Sequence, residues 1–456
     1  MSPERLVPHN PATGQPLEPV DCTTPEGVRE AVARARTAQR AWANTAADAR
    51  ARQIRALAQA IGDHADALGR SISDEMGKPI REARSEARSI AARVESFVRA
   101  ADQALADDDG VESGIRMRVR WRPLGVVGVI APWNYPVATP SNLLLSALLT
   151  GNAAVFKPSE YTPHTGALLH RLYAETLPEG LVGLVQGAAK VGAALVASDV
   201  DMIAFTGSIA TGQAIMREAA ATMKRLVLEL GGKDPMLVLP GADLQAAARH
   251  AADEALRNAG QVCVSVERII VHADVAAEFT RRVADLVRAV KPGDPREEST
   301  ALGPMASARQ RDLVLEQLAD ARRHGATFVI EGQAQEPGYY LTPTVVTDLK
   351  PEMTLVKDET FGPVVAIQVA RDVDEAVQLA NDTRYGLGAS VWGAPGPELD
   401  AVADRIEAGM VGVNRGLSTA AGGPWVGWKM SGLGYTRSVA GMRHFLQPQS
   451  QARRAE

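Results

Sequence analysis

The chain has almost no cysteine. Cys22 and Cys263 are the only two in 456 residues, which excludes a disulfide framework and any CxxC metal pattern. Its eight histidines are scattered and none forms HExxH, so no metal site is expected. No long apolar run occurs either. The longest, Ser141 to Phe156, is broken by Asn142, Gly151 and Asn152 and falls short of the roughly 20 residues of a membrane span. The start, MSPERLVPHN, lacks a basic segment followed by an apolar one, so no secretory signal is read there. A net charge of -5 gives no electrostatic reason to expect nucleic acid or an anionic membrane as partner. Aromatics are scarce, at 4%, and GxGxxG, the usual dinucleotide fingerprint, is missing. With these absences, a globular protein in the cytoplasm is the expectation.

What is present is length, well beyond the size at which one core stops growing, so two or more domains are expected. From Thr23 to about Leu105 the residues read as helices. Thr23 and Glu26 have capping-box spacing, with Pro25 in the first turn. Val28, Val32 and Ala35 then recur at helical spacing. After Asp107–Gly110, Arg116–Arg122 alternates basic with apolar residues, as a half-exposed strand does. From Gly125 onward short apolar strands alternate with helices, first up to Leu230 and again after Gly232. That alternation signals parallel sheets with crossover helices.

Four segments carry chemistry. In NAGQVCVSVER, Gly260 and Gln261 are expected to break a helix just before Cys263, placing the thiol on a turn between Val262 and Val264. A cysteine is often only a small core hydrophobe, yet a thiolate is also the most nucleophilic side chain for attack on a carbonyl. In LELGGKDP, Glu229 ends an apolar strand; it is either a satisfied strand end or a general base whose pKa is raised by apolar neighbours. In APWNYP, Asn134 is either a turn cap or a rigid donor to a developing oxyanion. In FTGSIATG, Gly207 and Ser208 stand at a helix N-terminus, where they either cap it or meet a pyrophosphate.

Together with KPSE, ETFGPV and KMSGLG, these segments follow one another in an order that resembles the aldehyde dehydrogenase superfamily over about residues 6 to 445. The resemblance implies two Rossmann-like α/β domains with a small β oligomerisation element. The expected division is 1–105 and 124–230 for the dinucleotide, 231–430 for the catalytic cysteine, and 106–123 with 431–456 for the arm. It implies NAD-dependent oxidation of an aldehyde to an acid, with NADP as the other cofactor of the family. Cys263 is then the nucleophile and Glu229 the water-activating base. Asn134 and the Cys263 N–H form the oxyanion site. Lys157 and Glu160 hold the adenosine ribose, and Gly207 and Ser208 meet the pyrophosphate near Trp133. Glu359 holds the nicotinamide ribose, beside Phe361. Glu160 would repel a 2′-phosphate, so NAD is expected over NADP.

The expected substrate pocket combines Tyr135, Ala138, Thr139, Asn142, Val262, Val264, Thr419 and Trp425. Tyr135 and Trp425 suit an apolar or aryl aldehyde, whereas Arg415 in VNRG suits a semialdehyde with a far carboxylate. The chain departs from the family at Pro424-Trp425-Val426-Gly427, where PFGG is usual, and in a short polar tail that favours a homodimer over a tetramer. Competing readings are a CoA-acylating dehydrogenase, which needs no base at Glu229, and an inert scaffold of the same fold.

Overall fold

A computed structural model describes residues 4–455; residues 1–3 and 456, the outer ends of the expected divisions, lie outside the described residues. After a short antiparallel strand pair, Arg5–Leu6 with Val20–Asp21, come four helices: α1 (Pro25–Ala43), α2 (Ala47–Asp63), α3 (Ala65–Met76) and α4 (Ile80–Leu105). Thr24, not Thr23, caps α1, its side chain accepting the Gly27 N–H at 3.1 Å. The Thr23 hydroxyl is instead engaged by the Gln186 N–H at 2.9 Å. Val28, Val32 and Ala35 on α1 are buried.

These helices pack on a six-stranded sheet in the order Gly432–Leu433, Arg225–Glu229, Met202–Thr206, Val126–Ile130, Ala153–Lys157, Val182–Leu184. The other five strands pair in parallel, and Gly432–Leu433 adds antiparallel at the edge. The interior strands Val126–Ile130 and Ala153–Lys157 are buried throughout, as strands covered by helices on both faces must be. The broken apolar stretch read from the sequence becomes α5 (Ala138–Leu149) and the strand beside it.

A second sheet of seven strands runs Thr327–Ile330, Thr344–Thr347, Val364–Ala370, Val266–His272, Asp234–Val238, Gly388–Trp392, Met410–Val413. All its pairs are parallel except the first. A third sheet of three antiparallel strands joins Asp108–Glu112, Ile115–Pro123 and Leu446–Arg454. Residues 431–445, expected in the arm, do not lie in that sheet. Gly432–Leu433 pairs with Leu228–Glu229, and Tyr435–Thr436 pairs with Trp425–Val426. Among the described residues no helix is long and apolar enough to cross a membrane.

Candidate active site

In the six-stranded sheet the chain moves from Val126–Ile130 outward to Ala153–Lys157 and Val182–Leu184. It then returns to add Met202–Thr206 on the other side. Open α/β sheets bind ligands beyond the carboxyl ends of the strands where the order reverses in this way. Two loops leave the sheet there, one carrying Trp133 and Asn134, the other Gly207 and Ser208. A cavity of about 710 Å³ opens between them, and Cys263, Glu359 and Phe361 close its far side. Ser208 caps the helix Ile209–Ala219, accepting the Thr211 N–H at 3.3 Å. The free N–H groups and dipole of that end favour an anion. The Trp133 and Phe361 rings meet edge to face at 5.5 Å.

Glu359 accepts the Gly232 N–H at 3.0 Å. Burial, and then the like charge of Glu267, push its carboxyl up to about 8. Its loop is clamped from below. Glu267 accepts the N–H groups of Thr360 and Phe361 at 2.8 and 2.9 Å, and Lys233 Nζ reaches Glu267 at 2.7 Å and the Thr360 hydroxyl at 2.8 Å. Phe361 is held in the left-handed region at φ 52, a conformation that needs such over-determination.

The turn carrying Cys263 begins earlier than Gly260 and Gln261. Helix Leu244–Leu256 ends, and Asn258 and Ala259 are already left-handed, at φ 50 and 56. Gly260 follows at φ 73, where a Cβ would strike the Gly362 carbonyl oxygen at 2.0 Å. The Gln261 side chain locks the turn, donating to Asn258 O at 2.9 Å and accepting the Ala306 N–H at 2.9 Å. Asn134 Nδ2 donates to Gln261 O at 3.0 Å, which leaves its second N–H free. Its own backbone oxygen accepts from Lys78 Nζ at 2.7 Å. Lys78 also pairs with Glu86, and Glu86 accepts the Val137 and Ala138 N–H groups at the start of α5, each at 2.9 Å. This buried pair fixes the Asn134 loop against the cysteine turn. Burial pushes the Cys263 thiol up to about 12, and the nearby carboxylates of Asp234, Glu229 and Glu359 add to the effect.

Glu229 ends its strand beside that turn. Thr436 donates to its Oε1 at 2.5 Å, and Thr206 to its Oε2 at 3.4 Å. Burial raises the carboxyl above its ordinary range while the Thr436 bond opposes that. The glycines after it allow close passage. A Cβ on Gly231 would meet Glu359 Oε2 at 2.3 Å, and one on Gly232 would meet Cys263 O at 2.4 Å. Ser431 ties the KMSG segment to this turn, donating to Gly231 O at 2.7 Å.

A second cavity of about 490 Å³ shares Cys263 with the first. Tyr135, Ala138, Thr139, Asn142, Val262, Val264 and Trp425 line it together with Glu229. Two expected residues do not. Arg415 is exposed and donates to Gly416 O at 3.3 Å, and Thr419 borders a neighbouring chamber instead. The cations that do line the cavity are Arg93, Arg257 and Arg437, none of which the sequence reading singled out. Arg437 stands one residue beyond Thr436 and Arg257 six before Cys263. Nothing in the sequence separates Arg93 from the other arginines of α4. Lys157 and Glu160 are absent from the lining of both cavities. Lys157 is buried, 3.7 Å from Glu160, and donates to Pro158 O at 3.1 Å. The arrangement sets the Cys263 thiol between an anion-attracting cavity and one bordered by the Glu229 carboxylate.

The aldehyde dehydrogenase family model matches residues 2–451. The chain is 37% identical over 448 residues, 96% of its length, to a putative succinate-semialdehyde dehydrogenase [NADP(+)] of Mycobacterium ulcerans, of which the match covers 86%. It is 38% identical over 446 residues to the 3,6-anhydro-alpha-L-galactose dehydrogenase of Streptomyces coelicolor, covering 96% of this chain and 91% of that one. Among solved structures, betaine aldehyde dehydrogenase from Staphylococcus aureus in complex with NAD+ superposes with a TM-score of 0.94 at 31% identity, covering 99% of this chain and 92% of the other.

Proposed function

The chain belongs to the aldehyde dehydrogenase family and is an NAD(P)-dependent aldehyde dehydrogenase; on that footing we propose that it oxidises its aldehyde to a carboxylic acid through a thioester on Cys263, which water activated by Glu229 then hydrolyses. One observation supports this above the rest: Cys263 is common to two cavities, one ending at a helix N-terminus and the other holding Glu229. The switch-point cavity fits a dinucleotide in its lining. Gly207 and Ser208 would take the pyrophosphate, with Trp133 nearby, and Glu359 the nicotinamide ribose beside Phe361. Lys157 and Glu160 lie outside that lining, and their role at the adenosine ribose rests on the family resemblance alone.

A thiol raised to about 12 is protonated at rest, so it must lose its proton to react. Its proton leaves to solvent as Sγ adds to the aldehyde carbon, so that the Glu229 carboxylate stays ionised for the later step. The free N–H of Asn134 and the Cys263 backbone N–H receive the oxyanion. When bound, the nicotinamide supplies the hydride acceptor that leaves an acyl thioester on Sγ. Glu229 then removes a proton from water, the hydroxide adds to the acyl carbon, the C–S bond breaks, and the acid leaves with the thiol restored.

Glu229 also favours hydrolysis over transfer to CoA, since an acylating enzyme needs no water-activating base. Steady turnover without CoA is expected; NADH formation that stops after one equivalent until CoA is added would overturn the hydrolytic reading. Glu160 supports NAD over NADP, because its carboxylate suits a 2′-hydroxyl and repels a 2′-phosphate. The ratio of kcat/KM for the two cofactors tests this, and a clear NADP preference refutes it. The exposed Asp108–Glu112 edge, with Val111, Ile115 and Met117 uncovered, supports a homodimer formed through the arm. Two free cysteines suit the reducing cytoplasm.

A further inference from the structure

Arg93 on α4 and Arg437 both border the substrate cavity, and both also border an outer chamber of about 720 Å³ beneath the Ser418–Gly423 segment. They therefore form the neck between the two spaces. Both guanidinium groups are half-buried, and burial lowers the pKa of each; for Arg93, brought to about 10, the like charge of Arg437 is the next cause. Two neighbouring cations in such a place call for a counter-ion.

Among the described residues neither arginine has a carboxylate within ion-pair distance, whereas the buried cations Lys78 and Lys233 each have one, Glu86 and Glu267. Glu86 is held by Lys78 and the start of α5, and Glu229, whose oxygens accept from Thr436 and Thr206, attracts Arg437 without pairing with it, so that one carboxylate faces two guanidinium groups. Arg93 directs Nε and Nη2 to Ser89, at 3.0 and 2.8 Å, and its Nη1 has no hydrogen-bond partner among the described residues. Arg437 lies over the Trp425 ring at 4.6 Å and makes one bond, Nη1 to the Thr419 hydroxyl at 3.1 Å; its Nε is buried without a partner. Its backbone is held left-handed at φ 67, a strained conformation of the kind kept at functional positions. Arg257, the third arginine of the cavity, differs. It is 2.6 Å from Glu254 and so already neutralised.

We infer that Arg93 and Arg437 form an anion subsite at this neck, and that the enzyme's aldehyde carries an anionic far end that docks between them. The inference rests on the oxidation chemistry proposed above. Guanidinium forks match the paired oxygens of a carboxylate or a phosphate, and substrate binding would supply the charge the neck lacks.

The test compares kcat/KM for three aldehydes of equal length, ending in a carboxylate, a phosphate ester or a neutral amide. Wild type, Arg93→Gln, Arg437→Gln, Arg93→Lys and Arg257→Gln are assayed on each. Wild type should favour an anionic aldehyde over the amide. Each Gln variant at the neck should reduce that preference about 10- to 100-fold, the worth of a charge-assisted hydrogen bond, read as the ratio of anionic to amide kcat/KM within each variant. Arg93→Lys should keep more of the preference than Arg93→Gln, and Arg257→Gln should keep most of it. The better of the carboxylate and phosphate arms identifies the anion. If Arg437→Gln fails to fold, Arg93→Gln alone decides. A wild-type enzyme indifferent to charge, or a preference that survives the neck variants, overturns the subsite. An enzyme that turns over none of the three, amide included, contradicts the oxidation reading instead.

Discussion

Replacing Thr436 by valine keeps the shape of a buried side chain and removes the 2.5 Å hydroxyl bond to Glu229. A hydroxyl donated to a carboxylate stabilises the ionised form, so the native bond lowers a pKa that burial raises. Hydrogen bonds to charged groups contribute about 1.5–3 kcal/mol, and one pKa unit corresponds to about 1.4 kcal/mol. Thr436→Val should therefore raise the Glu229 pKa by about one to two units. Glu229 works as a base only when ionised, so the acid limb of kcat against pH moves to higher pH by that amount. Activity near neutrality falls, and the alkaline plateau is largely kept. Below the shifted pKa deacylation slows, and stopped-flow NADH traces should develop a burst before the steady rate. Thr436→Ser, which restores the hydroxyl, should bring the limb back. An acid limb that stays in place in Thr436→Val would show that this bond does not set the ionisation of the base.

Glu229→Gln should lower the steady rate about 10²- to 10⁴-fold, the usual contribution of a positioned base, while rapid-mixing experiments still record NADH formation before hydrolysis stalls. Lys233→Met leaves Glu267 buried and unpaired beneath the Phe361 loop; a loss of about 3–5 kcal/mol is expected, read as a lowered urea midpoint, and an unchanged midpoint would contradict the clamp. Deleting Leu446 onward removes the strand that pairs with Ile115–Pro123 along its whole length. Light scattering should then report monomers or aggregates in place of dimers, and a dimer that persists would place the interface elsewhere.

Much of the fold was legible because strand and helix periods are local properties. Ala153–Lys157 and Met202–Thr206 coincide with their apolar runs, bounded by turn residues at each end. Small boundaries went astray where two residues compete for one role. Thr24 caps α1 because the Thr23 hydroxyl is engaged by Gln186 from a distant loop, a pairing no local pattern contains. The break before Cys263 starts at Asn258 and Ala259, since the turn is fixed by Asn134, Gln261 and the backbone at residue 362, and glycine alone does not fix it.

The cavity walls were the least legible part. Arg415 stood out in the sequence through its neighbours in VNRG, yet it faces solvent. Arg93 belongs to a helix whose other arginines reach the surface, and only the approach of α4 to the Thr436–Arg437 segment makes it part of a site. The segment 431–445 was assigned to the arm by its position near the C-terminus. Pairing of Gly432–Leu433 with Leu228–Glu229, some two hundred residues earlier, and of Tyr435–Thr436 with the nearby Trp425–Val426 brings it beside Glu229.

The most direct measurement is intact mass with peptide mapping of Glu229→Gln after mixing with aldehyde and dinucleotide. The account predicts one acyl group per chain on Cys263, formed with one equivalent of NADH and absent when Cys263 is also replaced by alanine. Sustained aldehyde oxidation by a Cys263→Ala enzyme, or an acyl group on another residue, would contradict it.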